Sequence, residues 1–466
     1  MGEGSIGGSL DPPENEPKRR MTVAASSPAP LTTRRILQTW WPLAASWLLM
    51  AVELPLQSAF VARLANPEIN LAAFGSVAMP VMLIIGAPII MLLTASTALC
   101  KDWDSYLKVR RFTLRSAALL TTLHVLVAFT PLYYLVVSGL IGPPQEVIEP
   151  ARVGLMIMTP WVASIAFRRF NQGVLIRFGH SRAVGQGTLI RLIANGVVLT
   201  TGYLAGTVPG VVVAASALVA GVTSEAIFIG LRVRPVLRHQ LRWAKPVEPA
   251  LTFHTFTRFY IPLALTQLMA LFIEPVVSAA LSRLPNPLVS LAVWPILFGL
   301  IFMMQAPAVA YVEVVVALLE QPDARNRLRR FTSGLVAFTF FVSVIVCVTP
   351  LSAFWFGRVS ALAPQLVEMA QRGLWIGLPI AGLTALCSWY QGAVVHIRHT
   401  RSITEAVAIY ALTIAAILGA GVAWGRVVGL YVGAAAFSVG FASQASWLWW
   451  RSRPALRIAV IEGEDT

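Results

Sequence analysis

The sequence predicts an all-α integral membrane protein whose twelve transmembrane helices form two six-helix lobes. Composition is the first observation behind this prediction: of 466 residues, 57% are hydrophobic and 12% are charged, with a mean hydropathy of +0.71. Soluble globular proteins carry about 25% charged residues, so the chain falls into the membrane class. The second observation is a series of apolar runs longer than the ~20 residues that cross a bilayer. Such runs must be helical, because the bilayer core offers no water to backbone groups.

The apolar runs number twelve, and an even number of spans returns the chain to the side from which it started. The predicted spans cover 36–63, 71–99, 112–138, 153–176, 184–205, 209–231, 255–282, 289–319, 331–355, 366–396, 402–424 and 427–450. We therefore expect a disordered cytoplasmic tail at 1–35, an N-terminal lobe at 36–231, a cytoplasmic linker at 232–254, a C-terminal lobe at 255–450 and a cytoplasmic tail at 451–466.

Lys and Arg are distributed unequally between the two sets of loops. The tails and loops on the side of the termini hold 28 of them, and the opposite loops hold six. Because positively charged loops stay in the cytoplasm, this bias predicts that both termini are cytoplasmic, in a cell (inner or plasma) membrane. It also accounts for the net charge of +15 without a nucleic-acid partner.

The third observation is an internal repeat, which relates the two halves of the chain by an offset of 219 to 220 residues. Since each half holds six spans, the copies are parallel and are related by a pseudo-two-fold axis along the membrane normal. Two such bundles around a central cleft are typical of an alternating-access carrier. The matches include Pro55 with Pro275, Arg63-Leu64 with Arg283-Leu284, Asn66-Pro67 with Asn286-Pro287, Gln172-Gly173 with Gln391-Gly392, and Gly202, Gly206 and Gly210 with Gly421, Gly425 and Gly429.

Several of these motifs resemble those of a known group of carriers. The two long spans ending in "ARLANP" and "SRLPNP", and the Gln-Gly pairs followed by a basic turn, are similar to the multidrug/oligosaccharidyl-lipid/polysaccharide flippase superfamily, which includes the multidrug and toxin extrusion carriers. The segments "FNQGVLIRFGHSRAV" and "WWPLA" resemble most the progressive ankylosis branch and its bacterial relatives. The resemblance covers residues 36–450.

This resemblance implies a secondary transporter that exports a small organic solute. The branch favours an organic anion such as citrate or a nucleotide or phosphate compound. The alternatives are a proton- or sodium-coupled exporter of organic cations and a lipid-linked saccharide flippase. No GxxxxGK[ST] motif occurs, so an ATP-driven pump is excluded. We expect no enzymatic activity, cofactor or bound metal, and a monomer whose partners are its substrate, the bilayer and a coupling proton or sodium ion.

Acids inside apolar spans are the main candidates for an ion or substrate site, since each costs roughly 2.5–3.5 kcal/mol on insertion scales. Glu53 lies midway along the first span, with Gln57 one turn further on the same face, and Pro55 frees a backbone carbonyl beside it. In the second half, Glu274 lies beside Pro275. The alternative for each acid is a buried ion pair or a carboxylate turned into a lobe interior.

Two further acids have no acidic counterpart in the other half. Glu313 lies in the eighth span, with Gln305 up to three turns earlier, and Glu225 of the sixth span is matched by Gln444. We predict that Glu313 and Gln305 line the pathway together with Glu53, Gln57 and Glu274. Glu225 is a secondary candidate.

The matching pair Arg63 and Arg283 ends the first and seventh spans. Their side chains either reach the outer lipid headgroups or form two guanidinium forks at the outer mouth of the cleft, suited to carboxylate or phosphate. His124, in the third span, is a secondary candidate for a proton relay, although a core histidine is the simpler interpretation. The basic residues on either side of Gln172-Gly173 are interpreted as topology determinants: Arg168, Arg169, Arg177 and Arg182.

Overall fold

The fold is described from a computed structural model of the chain. It describes residue 2 and residues 31–464, except 320, 322 and 397–400, with side chains up to 453 apart from that of residue 396. The predicted tail at 1–35 lies almost wholly outside the described residues, as do the side chains of most of the tail at 451–466. The described part is helical and contains no β-strand.

Twelve long helices follow one another along the chain. We number them α1 to α12 and call α1–α6 the first lobe and α7–α12 the second lobe. Their bounds are α1 Thr33–Val61, α2 Pro67–Leu99, α3 Trp103–Phe129, α4 Gln145–Ile157 and Thr159–Arg177, α5 Arg182–Ala205, α6 Gly210–Trp243, α7 Phe253–Ser282, α8 Pro287–Leu318, α9 Ala324–Val348, α10 Pro364–Val395, α11 Arg401–Trp424 and α12 Gly429–Glu464.

Among the described residues, ten of these helices are long and apolar enough to cross a membrane, and the two parts of α4, bent by 42°, make an eleventh. The fold class predicted from the sequence is confirmed: the protein is an all-helical, multi-pass membrane protein with twelve helices in two lobes. We call the end of the bundle that carries both termini the termini side and the opposite end the far side.

Two helices end earlier than the hydropathy pattern predicts. The third span was expected to run to 138, but α3 ends at Phe129, and α9 ends at Val348 instead of 355. In both cases a Thr-Pro pair follows, and proline disfavours helical geometry in the residue before it. Each proline then begins a short helix that finishes in a π-helical turn, at Leu135–Ile141 and Trp355–Val359.

The matching glycines of the two halves lie where paired helices approach closely. A Cβ atom at Gly202 of α5 would lie 2.5 Å from Val213 of α6, and Gly421 of α11 meets Val432 of α12 in the same way. Gly206 and Gly425 follow these helices with φ of 66° and 65°, a conformation that glycine adopts without steric cost. These glycines therefore have a structural role, in close helix packing and in the turns that follow the helices.

The lobes contact each other closely through α2 and α8 in the half of the bundle near the far side. The Ser76 hydroxyl donates a hydrogen bond of 2.6 Å to the carbonyl of Leu291. A Cβ atom at Gly75 would lie 2.7 Å from Pro295, so the two helices touch at this level.

A symmetric pair of contacts joins the lobes nearer the termini side. The Trp40 indole of α1 donates a 2.9 Å hydrogen bond to the carbonyl of Pro307 in α8. The Tyr260 hydroxyl of α7 donates to the carbonyl of Pro88 in α2. Trp40 and Tyr260 are 220 positions apart and the two prolines 219 apart, so the internal repeat extends to the contacts between lobes.

Candidate functional site

A cluster of charged side chains lies inside the first lobe, where α1, α4, α5 and α6 meet. Glu53 of α1 forms an ion pair with Arg191 of α5, with 3.0 Å between nitrogen and oxygen, and accepts a 3.1 Å hydrogen bond from Asn195 of the same helix. The Glu53 side chain is 12% exposed, and that of Arg191 is 9% exposed. Glu53 is therefore held in the buried ion pair that the sequence left open as an alternative.

Glu225 of α6 forms the second half of the same cluster. It is fully buried and accepts hydrogen bonds from Arg168 and, at 2.9 Å, from Gln172 of α4. The Arg191 Nε atom lies 3.7 Å from the Glu225 carboxylate, so this guanidinium bridges the two acids. We call Glu53, Arg168, Gln172, Arg191, Asn195 and Glu225 the first-lobe cluster.

Positive charge exceeds negative charge in and beside this cluster. Arg168 and Arg191 balance Glu53 and Glu225, and Arg169 adds a third guanidinium close enough to interact electrostatically with Glu225. Arg169 makes no ion pair with any described residue, and its buried Nε atom has no hydrogen-bond partner among them. Arg169 is half-buried, and a partly desolvated cation without a carboxylate partner favours an anion nearby.

Arg191 was not among the candidate residues predicted from the sequence, and the prediction for Arg168 was wrong. Arg168 is 4% exposed and bonded to Glu225, so it is part of the buried cluster rather than a topology determinant. One feature of the sequence could have identified Arg191: it is a charged residue inside a predicted span, and its counterpart in the second half is the uncharged Tyr410. Arg177 and Arg182 lie at the termini side, and Arg182 is exposed.

The second lobe has no such cluster at the equivalent positions. Arg168, Arg191 and Glu225 are replaced by Cys387, Tyr410 and Gln444 at the offset of 219. These uncharged side chains border a cavity of about 250 Å³, whose remaining lining comprises Ala270, Val309, Val312, Thr384, Ser388, Gln391, Val407 and Phe441. The lobes therefore share a backbone arrangement but differ in their chemistry.

The two candidate acids of the second lobe have no basic partner among the described residues. Glu274 is half-buried and lies near the Trp294 and Tyr410 side chains. Glu313 is exposed on α8. An acid at this depth is expected to border a water-filled space rather than lipid, because lipid exposure of a carboxylate is costly.

The remaining polar candidates, Gln305, Gln57 and His124, are buried and therefore less able to contact a substrate or an ion. Gln305 is 4% exposed, and its side-chain oxygen accepts a 3.0 Å hydrogen bond from Thr384 within the second lobe. Gln57 is fully buried, and neither atom of its amide has a described partner. His124 is also fully buried and bonds the carbonyl of Leu155 through Nε2 at 2.8 Å, as a core histidine does.

Arg63 and Arg283 contact the opposite lobe at the far side. The Arg63 guanidinium donates to the carbonyl oxygens of Arg358 at 2.5 Å and Val359 at 2.7 Å. Arg283 donates to the carbonyl oxygens of Leu140 and Ile141, both at 2.9 Å. We call these two sets of hydrogen bonds the arginine latches.

The latches have a simple physical basis. Each guanidinium donates to the carbonyl oxygens of the last two residues of a π-helical turn. The final carbonyls of a helix have no intrahelical donor and carry partial negative charge. A guanidinium supplies several donors in one plane and satisfies two of them at once. Both guanidinium groups therefore hold carbonyl oxygens of the opposite lobe, an arrangement that neither expectation from the sequence included.

The comparisons with solved structures identify the fold. No family model and no curated protein sequence matches the chain. An inward-facing multidrug resistance MATE family transporter of the MOP superfamily superposes with a TM-score of 0.63 at 16% identity, covering 90% of this chain and 98% of that one. This chain has the MATE transporter fold.

Two further structures agree with this assignment. A MOP superfamily transporter from Pyrococcus furiosus, described as having a binding pocket of reverse polarity that suggests a different function, gives a TM-score of 0.62 at 15% identity over 91% of this chain and 96% of that one. An outward-facing MATE transporter gives 0.57 at 17% identity over 91% and 96%. The fold implied by the sequence resemblance is thus confirmed, and the progressive ankylosis branch stays a prediction.

Proposed function

We propose that the protein is a secondary transporter that exports a small organic solute by rocking its two lobes. The MATE fold supports this proposal, since the neighbouring structures include inward-facing and outward-facing transporters. The contacts at the far side also support it. The arginine latches and the Ser76–Leu291 hydrogen bond join the lobes through polar contacts that can break and re-form.

We propose further that the substrate is an organic anion, such as a polycarboxylate or a phosphate compound. The observation that carries this step is the surplus guanidinium of the first-lobe region, where Arg169 has no carboxylate partner among the described residues. Arg pairs strongly with carboxylate and phosphate groups through charge-assisted hydrogen bonds. The Pyrococcus furiosus transporter, described as having a binding pocket of reverse polarity, supports the view that the fold itself does not fix the polarity of the pocket.

A proton- or sodium-coupled exporter of organic cations is the second candidate. It is favoured by Glu274 and Glu313, which have no basic partner among the described residues and could each hold a proton or a cation. In either case we assign the coupling ion to these two acids rather than to Glu53. Arg191 already neutralises Glu53, and protonating or metallating it would first require that ion pair to break.

Counterflow into proteoliposomes tests both proposals. Citrate, a nucleotide and a lipophilic cation are compared for wild type, Arg169→Gln and Glu274→Gln, with Arg182→Gln as the matched control because Arg182 is an exposed arginine at the termini side. Loss of a charge-assisted contact costs ~1.5–3 kcal/mol, so Arg169→Gln should lower anion transport by roughly tenfold or more.

The outcomes separate the candidates. Anion transport that falls in Arg169→Gln but not in Arg182→Gln supports the anion proposal. Cation transport that is lost in Glu274→Gln and retained in Arg169→Gln supports the second candidate instead. If wild-type protein accumulates none of the three solutes above empty liposomes, the proposal of solute export for these substrate classes is wrong.

A further inference from the structure

Two grooves of nearly equal size open on the termini side, and the internal repeat relates them. The α3 groove, about 540 Å³, lies between the start of α3 and the residues that lead into α7. The α9 groove, about 530 Å³, lies between the starts of α9 and α1. Each groove therefore has one wall from each lobe, and the wall residues Phe112 and Phe331 correspond at the offset of 219.

Both grooves combine apolar walls with basic side chains. Lys108, Arg111 and Arg115 line the α3 groove, and they fall on one face of the helix because they are three and four residues apart. Arg327 and Arg330 line the α9 groove. No described acidic side chain lines either groove.

Part of this positive charge is unpaired. Lys108 forms an ion pair with Asp104, and Arg327 forms one with Asp323. Arg111, Arg115 and Arg330 are exposed and make no ion pair with any described residue, which leaves two free cations in the α3 groove and one in the α9 groove. The repeat explains the difference, since the counterpart of Arg115 is Gly334.

The apolar walls of both grooves carry large side chains that are more than half exposed, as expected for a surface that contacts hydrocarbon. Leu119 and Phe253 of the α3 groove are 69% and 73% exposed, and Trp41 and Phe338 of the α9 groove are 65% and 55% exposed. In each groove the free cations lie toward the start of a membrane helix, α3 or α9, and Leu119 or Phe338 lies deeper along the same helix. This order matches the sequence of headgroup and acyl chain in one leaflet.

We propose that the α3 and α9 grooves are binding sites for anionic phospholipid from the leaflet at the termini side. The phosphate and anionic headgroup bind the free guanidinium groups, and one acyl chain lies along the apolar wall. Because each groove has a wall from each lobe, a bound lipid touches both lobes. The α3 groove binds more tightly than the α9 groove, since it offers one more free cation.

Native mass spectrometry of the purified full chain tests this proposal with phosphatidylglycerol and phosphatidylcholine of identical acyl chains. The variants are Arg111→Gln with Arg115→Gln for the α3 groove and Arg330→Gln for the α9 groove, with Arg182→Gln as the charge-matched control. Each basic residue near a membrane surface contributes about fivefold to binding of anionic lipid. We expect retention of phosphatidylglycerol to fall by about 25-fold at the α3 groove in the double variant and by about fivefold at the α9 groove in Arg330→Gln.

A second measurement locates the lipid independently of these substitutions. Phosphatidylglycerol with a photoreactive acyl chain should crosslink wild-type protein within residues 112–119 and 331–338. Equal retention of the two lipids by wild type overturns the proposal, as does an equal loss of phosphatidylglycerol in Arg182→Gln. Crosslinks spread evenly over all twelve helices, with no excess in those two segments, also overturn it.

Discussion

At the scale of single side chains, the Glu53–Arg191 ion pair determines which roles Glu53 can have. Taking two charges out of water costs several kcal/mol per ion, and the cost is recovered only if each charge keeps a partner. Asn195 and Glu225 complete the arrangement, since they contact Glu53 and Arg191 respectively. The pair therefore holds α1 and α5 together inside the first lobe.

Removal of Arg191 should destabilise the protein strongly. Arg191→Gln leaves Glu53 buried without a cation, and breaking a buried pair in this way costs about 3–5 kcal/mol. A lower unfolding temperature in detergent measures the effect, with Arg182→Gln as the control. Adding Glu53→Gln to Arg191→Gln should restore part of the loss, because the second substitution removes the unpaired acid. A single variant as stable as wild type would show that the pair does not form.

The sequence identified Glu53, Glu274 and Glu313 as unusual because each is an acid in an apolar span. It could not identify their surroundings. The partner of Glu53 lies 138 positions later in the chain, and hydropathy does not indicate which charges of different helices meet. The contacts of Arg63 and Arg283 were still harder to predict from the sequence. Their partners are main-chain carbonyls, which every residue has.

At the scale of helices, close approach of α5 to α6 and of α11 to α12 depends on glycine. Small residues at the contact let two helix backbones come together, and van der Waals packing then supplies much of the association energy within a bilayer. Gly202 and Gly421 occupy these contacts in the two lobes.

A larger side chain at Gly421 should therefore disrupt the α11–α12 pair. Gly421→Leu places a side chain against Val432, and overpacking of this kind costs about 1–3 kcal/mol. Gly419→Leu is the matched control, because Gly419 lies in the same helix and a Cβ there would meet nothing within 4 Å. Thermal unfolding, monitored through the onset of aggregation, should begin at a lower temperature in Gly421→Leu but not in Gly419→Leu. Equal unfolding temperatures for the two variants would contradict this account.

Helices were more predictable than side-chain contacts. Hydropathy and the repeat predicted all twelve long helices and their pairing into halves, because apolar length is what the bilayer demands of each element. The ends of α3 and α9 were predicted less well. Apolar residues continue past Thr130 and Thr349, and only the following prolines mark the true helix ends.

At the scale of the whole molecule, the lobes are alike in architecture and different in charge. The first lobe holds the charged cluster, and the second lobe has neutral residues at the same positions together with two acids that have no basic partner in the described part of the chain. This division suggests separate tasks, with the substrate interacting with the first lobe and the coupling ion with the second. Rocking of the lobes would link the two tasks if the far side opens and closes as a unit.

The arginine latches provide the means to test this motion. Removing both guanidinium groups, by Arg63→Gln with Arg283→Gln, takes away four hydrogen bonds between the lobes at the far side. The far side should then open in a larger fraction of molecules, because a shift of about 1.4 kcal/mol changes a two-state equilibrium tenfold. The termini-side contacts of Trp40 and Tyr260 are unchanged in this variant.

The most direct measurement is the distance between spin labels at Ala65 of the first lobe and Gln365 of the second, in reconstituted protein whose three native cysteines have been replaced. Both positions are exposed at the far side. Labels at Ala65 and Gln145, both in the first lobe, serve as the control. We expect one short Ala65–Gln365 distance in the protein with intact latches and a second, longer population in the Arg63→Gln, Arg283→Gln variant, with the control pair unchanged. A single unchanged distance in that variant, with or without citrate, would contradict alternating access through this side.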